Sequence, residues 1–379
     1  MSLFNFSGYP IGLDISDTGL KLVELGKKGK KIIFQAVGRA DLPPGLVENG
    51  QIINQAEIAK KIKNALDQPL FGKFSAATVA LGLPEAKSFA KLIYVEKSPN
   101  PLPAAVDAEI GKYVPYENDE IFYDWQEIGE DRDRHHIFFS ACAKKDFLEY
   151  EQLLNAAGLK IEAAEPEAVA LCRALLPSET PAAAPTNEEN AVGIIDIGAQ
   201  RTHLVFYGRQ SVLFSISLPI CGQEITKQIS VALEVPANEA EKAKIVCGLD
   251  ENIAQGVIRK ILTATLDQLF ARLQEALLFE QKHYPDIGPI KEVILCGGGA
   301  NIKGLDSLMA NKLGLPARLG RPGQIIANSE NHPGFSEIHR LEEKSPDGKT
   351  TRETMSLTQN NINGFAAAIG LALRGPFFE

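Results

Sequence analysis

Long apolar runs are missing from this 379-residue chain, and no stretch approaches the 18 or so consecutive apolar residues that a membrane-spanning helix needs. The opening MSLFNFSGYP has neither a charged leader nor an apolar core, so a secretory signal is not expected. Positive charge is also scarce. Lys and Arg number 39 against 48 Asp and Glu, a net charge of −9, which disfavours nucleic acid as the main partner because that role usually needs a basic face. The five cysteines (Cys142, Cys172, Cys221, Cys247 and Cys296) are odd in number and none has C-x-x-C spacing. They read as buried free thiols in a reducing cytosol. The six histidines form no metal-ligand pattern, and the adjacent His135 and His136 read as surface.

What remains is an ordinary globular composition, 45% apolar and 23% charged, sufficient for a sizeable core. At about 150 residues per domain the length suggests two or three domains. Ile11 to Ile15 reads as a buried strand ending in a turn, Leu20 to Leu25 as its return, and Ile32 to Phe34 as the start of a third strand. The lysines between 27 and 31 read as a solvated turn. Beyond the breaker Pro43-Pro44-Gly45, helical apolar spacing runs from Glu57 to Leu66. Strands are expected at 78–81, 89–95, 121–126 and 136–143, and helices at 103–114 and 146–157, the last stopped by Gly158. Residues 177–190, rich in Pro, Ala and polar side chains, read as a linker. A second unit then opens with a strand at 191–197. Helices follow around 237–246 and 252–284, then a strand at 292–296 running into Gly297, Gly298 and Gly299, and a helix from Ala300 to Leu313. Residues 328–355 read as a polar surface excursion, and the chain closes on a small-residue helix, 361–373.

Two segments resemble one another: Ile11-Gly12-Leu13-Asp14-Ile15-Ser16-Asp17-Thr18 and Ile194-Ile195-Asp196-Ile197-Gly198-Ala199-Gln200-Arg201-Thr202. Each places an aspartate at the end of a buried strand, then a tight turn, then another strand. Such a turn aims several backbone N–H groups into one space, which suits phosphate oxygens. The aspartate repels phosphate but can hold a hydrated Mg²⁺ that bridges to it. Two such hairpins facing each other would grip a polyphosphate from both sides. The glycines at 297–299 follow a buried strand and let the backbone approach a flat ring or a phosphate. A Rossmann fingerprint is disfavoured there, since Ile302 stands where the third glycine belongs and no acidic residue follows about 20 positions on. Glu241 and Lys244 share a helix face, as a surface ion pair or as a clamp on ribose and base.

In this order the pieces resemble the actin-like ATPase superfamily. Glu165-Pro166-Glu167-Ala168 resembles the start of its first connecting helix and Asn363 to Gly370 its second, while Lys21, seven residues after Asp14, resembles its phosphate-contacting lysine. A finer resemblance is to the PilM family of type IV pilus assembly, on the FtsA/PilM branch. It is carried by IGLDISDTGLKLVEL from Ile11, Glu48 to Ile52, Leu81 to Pro84, Tyr113 to Tyr116, Asp124 to Gln126, and Ala156 to Leu159. The resemblance implies an α/β, actin-like (ribonuclease-H-like) two-lobed fold with an inserted 1C subdomain. Residues 1–40 and 161–190 would form the first lobe and its connecting helix with the linker, and 41–160 the insertion. Residues 191–355 would form the second lobe, and 356–379 a helix returning to the first.

The resemblance further implies ATP and Mg²⁺ as cofactors. Asp14 and Asp196 would orient Mg²⁺ through water. Backbone at Ser16, Asp17, Thr18, Gly198 and Ala199, the Thr202 hydroxyl and Lys21 would hold phosphates, with Gly222 nearby. Glu241 and Lys244 would contact ribose and base, Gly297, Gly298, Gly299 and Ile302 would line the adenosine, and Glu165 would position the attacking water. The implied partner is the cytoplasmic N-terminal peptide of PilN, with other pilus platform and motor proteins and self-association beyond it. The implied location is cytoplasmic, peripheral to the inner membrane through that partner. Ser16 replaces a family glycine, where any positive φ would cost about 1 kcal/mol or more. Asp17 replaces a small hydroxyl residue and Cys221 a glycine, so weak or slow hydrolysis is expected. An FtsA-like division tether is disfavoured, because 374–379 is too short for an amphipathic membrane helix. An actin-fold small-molecule kinase would lack the 1C motifs.

Overall fold

A computed structural model describes residues 9–176, 191–327, 339–344, 350–355 and 361–375. Strand β1 (Ile11–Ser16) and β2 (Gly19–Lys28) form the first hairpin, and β3 (Lys31–Asp41) returns beside β2. The short β4 (Val47–Glu48) and β5 (Gln51–Ile52) are joined by Asn49-Gly50. Both turn residues have positive φ, 50° and 73°, as an Asn-Gly hairpin turn requires. Helix α1 (Gln55–Asp67) starts where the Asn54 side chain accepts from Glu57 N–H, and it buries Ile58, Ala59, Ile62 and Ala65. There follow β6 (Phe71–Gly72), β7 (Thr78–Leu83), β8 (Ser88–Glu96), α2 (Leu102–Ile110), β9 (Ile121–Glu130) and β10 (Arg134–Ala143). Helix α3 (Lys144–Ala157) ends at Gly158 in the left-handed region, and β11 (Lys160–Pro166) passes directly into α4 (Glu167–Leu175).

The second half repeats this plan with β12 (Ala191–Ile197), β13 (Thr202–Gly208), β14 (Ser211–Leu218), α5 (Gly222–Leu233), α6 (Ala237–Cys247), α7 (Val257–His283), β15 (Ile290–Cys296), α8 (Leu305–Leu313) and β16 (Ala317–Leu319). The ribbon β17 (His339–Lys344) and β18 (Thr350–Met355) lies in the polar excursion, and α9 (Ala366–Ala372) closes the described chain. The linker at 177–190 lies outside the described residues.

One sheet runs β11-β7-β1-β2-β3-β6 and the other β16-β15-β12-β13-β14-β8-β10-β9. In each, a three-stranded antiparallel meander carries two parallel strands on the flank of its first strand. The internal repeat legible in the two hairpins therefore extends to a whole sheet. Helices α4 and α9 pack between the sheets. A Cβ on Gly12 of β1 would lie 2.1 Å from the Ala368 carbonyl oxygen, and one on Gly370 would lie 1.8 Å from that of Ala170. Both glycines are required by this backbone-to-backbone approach.

Three expectations need correction. The insertion is narrower than 41–160: β7 pairs with β1 and β11 in the first sheet, and α1 and α3 bury their apolar faces in the core beneath it. What remains, β8 to β10 with α2, adds to the second lobe's sheet, with Lys91 of β8 opposite Phe214 of β14. Helix α7 begins at Val257 and not near Asn252, because Ala254, Gln255 and Gly256 all have positive φ. Helix α8 begins at Leu305, after a 3₁₀ turn at Gly298–Asn301 and a left-handed Gly304.

All five cysteines are buried and free. Among the described residues no helix is long and apolar enough to cross a membrane. Glu280 on α7 is 0% exposed, and neither carboxylate oxygen has a hydrogen-bond partner. Burial pushes its pKa up to about 7. A carboxyl whose folded pKa lies above its unfolded value costs stability once ionised. The cost is absent below about pH 4.3, grows up to about pH 7 and is then constant, at roughly 3 kcal/mol. Glu280→Met is therefore expected to be more stable than the parent by about that amount at pH 8, with the gap narrowing at pH 5. Urea denaturation at the two pH values checks it; a gap that does not change with pH would show that the Glu280 carboxyl titrates alike in the folded and unfolded chain.

Candidate functional site

Between the sheets lies a cavity of about 450 Å³ lined by both hairpins. Its floor repeats one device. In the first hairpin Asp14 sits directly across the strand pair from Lys21, with Lys21 Nζ 3.4 Å from Asp14 Oδ2. In the second, Asp196 sits directly across from His203. Lys21 and His203 each follow their aspartate by seven residues, so the spacing that singled out Lys21 also marked His203. The turns differ: two residues, Asp17-Thr18, in the first, and four, 198–201, in the second.

His203 Nδ1 lies 3.3 Å from Glu167 Oε2 at the start of α4. Burial opposes the imidazolium charge, but the Glu167 hydrogen bond and the carboxylates of Glu167, Asp196 and Glu85 outweigh it, and the pKa is pushed up to about 9. Burial pushes Glu167 up to about 7 against that hydrogen bond. Burial likewise raises Asp196, partly offset by His203 and Lys21. The floor thus holds three carboxylates, Asp14, Asp196 and Glu167, around two cations.

Asp14, Ser16, Asp17, Thr18, Lys21, Asp196, Gly198, Ala199, Gly222, Glu241, Lys244, Gly297, Gly298, Gly299 and Ile302 all line the cavity. Ser16 keeps a negative φ, so serine there carries no left-handed strain, and its hydroxyl donates to the Gly19 carbonyl at 2.9 Å. The Asp17 carboxylate is turned to the β4–β5 turn, where it accepts from Asn49 and Gly50 N–H, both at 3.0 Å. Gly297 has φ +79°, and a Cβ there would lie 2.2 Å from Asp196 Oδ1. Only glycine lets the loop close over the second aspartate. The Gly222 N–H donates to the Gly198 carbonyl at 3.0 Å, so it is spent on docking α5 against the hairpin turn.

Two expected site residues do not reach the cavity. The Thr202 hydroxyl is fully buried and donates to the Ile220 carbonyl, which ties β13 to the approach of α5 and leaves nothing for a phosphate. Glu165, 4% exposed, faces the other way. It pairs with both terminal nitrogens of Arg173, Nη2 lying 2.8 Å from Oε2, and with Arg374. The glutamate that enters the cavity is Glu167, two residues on, beyond the strand end at Pro166. Lys244 needs a narrower correction. Its ammonium is buried and donates to the Gly222 carbonyl (3.0 Å), Thr226 Oγ1 (2.9 Å) and Glu241 Oε2 (2.7 Å). It fastens α6 to α5 and holds no free charge for a ribose.

Oxygen donors in this number suit a hard divalent cation bound partly through water. Asp14, Asp196 and Glu167 are the residues that would hold Mg²⁺. The hairpin turns, Lys21 and the glycine loop would hold a nucleotide, and the buried acidic floor fits that pair of ligands.

Two like-built sheets, each with a phosphate-type hairpin, enclosing one cleft define an actin-like, two-lobed protein. The family model described as type IV pilus assembly protein PilM matches residues 12–335, and the chain belongs to that family. Among solved structures it is similar to a PilM-PilN type IV pilus biogenesis complex, at 23% identity and TM-score 0.71 over 97% of this chain and 98% of that one. It is also similar to MreB5 of Spiroplasma citri bound to ADP, at 14% identity and TM-score 0.50 over 83% and 92%. Among curated proteins it matches cell division protein FtsA of Pseudomonas aeruginosa, 23% identical over 207 residues, 48% of this chain and 47% of that one. The chain thus spans about half the length of the curated relatives it matches.

Proposed function

We propose that this chain is an ATP-binding scaffold of the type IV pilus assembly platform that binds Mg-ATP in the interlobe cleft and the N-terminal cytoplasmic peptide of PilN elsewhere. The observation that carries the nucleotide reading is the duplicated floor, with Asp14 opposite Lys21 and Asp196 opposite His203 on facing hairpins. Family membership and the similarity to a PilM-PilN complex support the partner. In this reading the chain is cytoplasmic and reaches the inner membrane through that partner, with other platform and motor proteins and further copies of itself as additional contacts. Hydrolysis is slow at best. Glu167, the one glutamate of the E-P-x-A segment in the cleft, has Oε2 engaged by His203 Nδ1 at 3.3 Å, so that oxygen is not free to orient an attacking water.

Titration of the full chain with the cognate PilN N-terminal peptide, with and without Mg-ATP, tests the partner. Saturable binding below tens of micromolar is expected. No binding in either condition would remove the scaffold reading.

A further inference from the structure

Arg201 ends the second hairpin's turn and lines the same cavity. Its Nε donates to Ser217 Oγ on β14 at 2.6 Å, which anchors the stem of the guanidinium in the second lobe. Its Nη1 donates across the cleft to Asn49 Oδ1 at 3.2 Å. Asn49 belongs to the first lobe, where the Asn49-Gly50 turn is held by two N–H bonds to the Asp17 carboxylate and by the Tyr150 hydroxyl donating to the Gly50 carbonyl at 2.8 Å. A chain of hydrogen bonds, Arg201 to Asn49 to Asp17, therefore joins one phosphate hairpin to the other. Among the described residues Nη2 has no hydrogen-bond partner. The bond to Asn49 sets a cation against a neutral acceptor. A phosphate oxygen is a stronger acceptor, and the planar guanidinium fork matches it in two-point geometry.

We propose that Arg201 reads the terminal phosphate of the bound nucleotide, giving up Asn49 for a phosphate oxygen, so that a triphosphate releases this interlobe contact and a diphosphate leaves it in place. The proposal rests on the nucleotide reading of the cleft and adds to it a residue that distinguishes ATP from ADP. The pivot needs little motion, because the Ser217 bond can persist while Nη1 and Nη2 swing.

The test is calorimetric binding of Mg-AMPPNP and Mg-ADP to the full chain and to two variants. Arg201→Gln is expected to weaken AMPPNP about tenfold, the order of one charge-assisted hydrogen bond, with ADP changed less than twofold. Asn49→Gly, which keeps a residue tolerant of positive φ, is expected to shift preference the opposite way, since no bond to Asn49 is then surrendered. Equal weakening of both nucleotides by Arg201→Gln, or no weakening, overturns the proposal. So does an unchanged AMPPNP-to-ADP ratio in Asn49→Gly, which decides the matter if Arg201→Gln fails to fold. If the parent binds neither nucleotide, the nucleotide reading itself fails, a result distinct from these.

Discussion

Glu165→Gln is expected to lose about 3 kcal/mol of folding stability while still binding Mg-ATP. Glu165 is 4% exposed and is the shared acceptor for Arg173 and Arg374. Arg173 also donates to the Gly370 carbonyl at 2.8 Å. The cluster thus ties the end of β11, the last turn of α4 and the residues after α9 into one charged knot in the first lobe. Removing one partner of a buried pair leaves the other uncompensated, at about 3–5 kcal/mol. The partial exposure of Arg374 places this case at the lower end. A drop in the urea midpoint at constant m-value, with unchanged nucleotide affinity, is the expected pattern. The opposite pattern, full stability with nucleotide binding lost, would return Glu165 to the cleft and displace Glu167.

The second large effect is at Asp196. At a nucleotide concentration near 100 Kd, Mg-ATP should stabilise the parent by about 2.7 kcal/mol. Asp196→Asn should abolish that increment without weakening the unliganded protein. The reason is electrostatic. Burial raises the Asp196 carboxyl despite two nearby cations, so its negative charge is a net burden to the empty fold. It is worth keeping only for a cation that binds there. Thermal unfolding with and without Mg-ATP measures both halves of the claim. A retained shift in Asp196→Asn would rule out a metal role for this aspartate.

Much of this was legible in the sequence because it depends on short-range pattern. Both hairpins, the glycine loop and the small-residue closing helix follow from runs of neighbouring residues. The equivalence of Lys21 and His203 is carried by a fixed spacing of seven from Asp14 and Asp196. The choice between Glu165 and Glu167 was not legible. It turns on where β11 stops, at Pro166, and on an arginine 209 residues away in sequence. Helix α5 is hidden from the sequence for a different reason. No side chain caps its start; Gly222 and Gln223 donate instead to the carbonyls of Gly198 and Ala199, so the usual local start signal is absent. Nor could local pattern show that β8 pairs with β14, more than a hundred residues further on.

That last pairing bears on how the chain is made. Strand β8 leaves the ribosome long before β14, which at about 5–20 residues per second means an interval of several seconds. During it, one edge of a hydrophobic sheet fragment stands open, with Ala90, Leu92, Ile93 and Val95 on the waiting strand. Open edges invite pairing with the wrong chain, and a lysine on the edge is a recognised deterrent. Lys91 occupies the position that later meets Phe214, and it rests over the ring of Tyr113 at 4.4 Å. Nascent chains crowded on one message are thereby guarded against pairing with each other until the second lobe arrives to claim the strand.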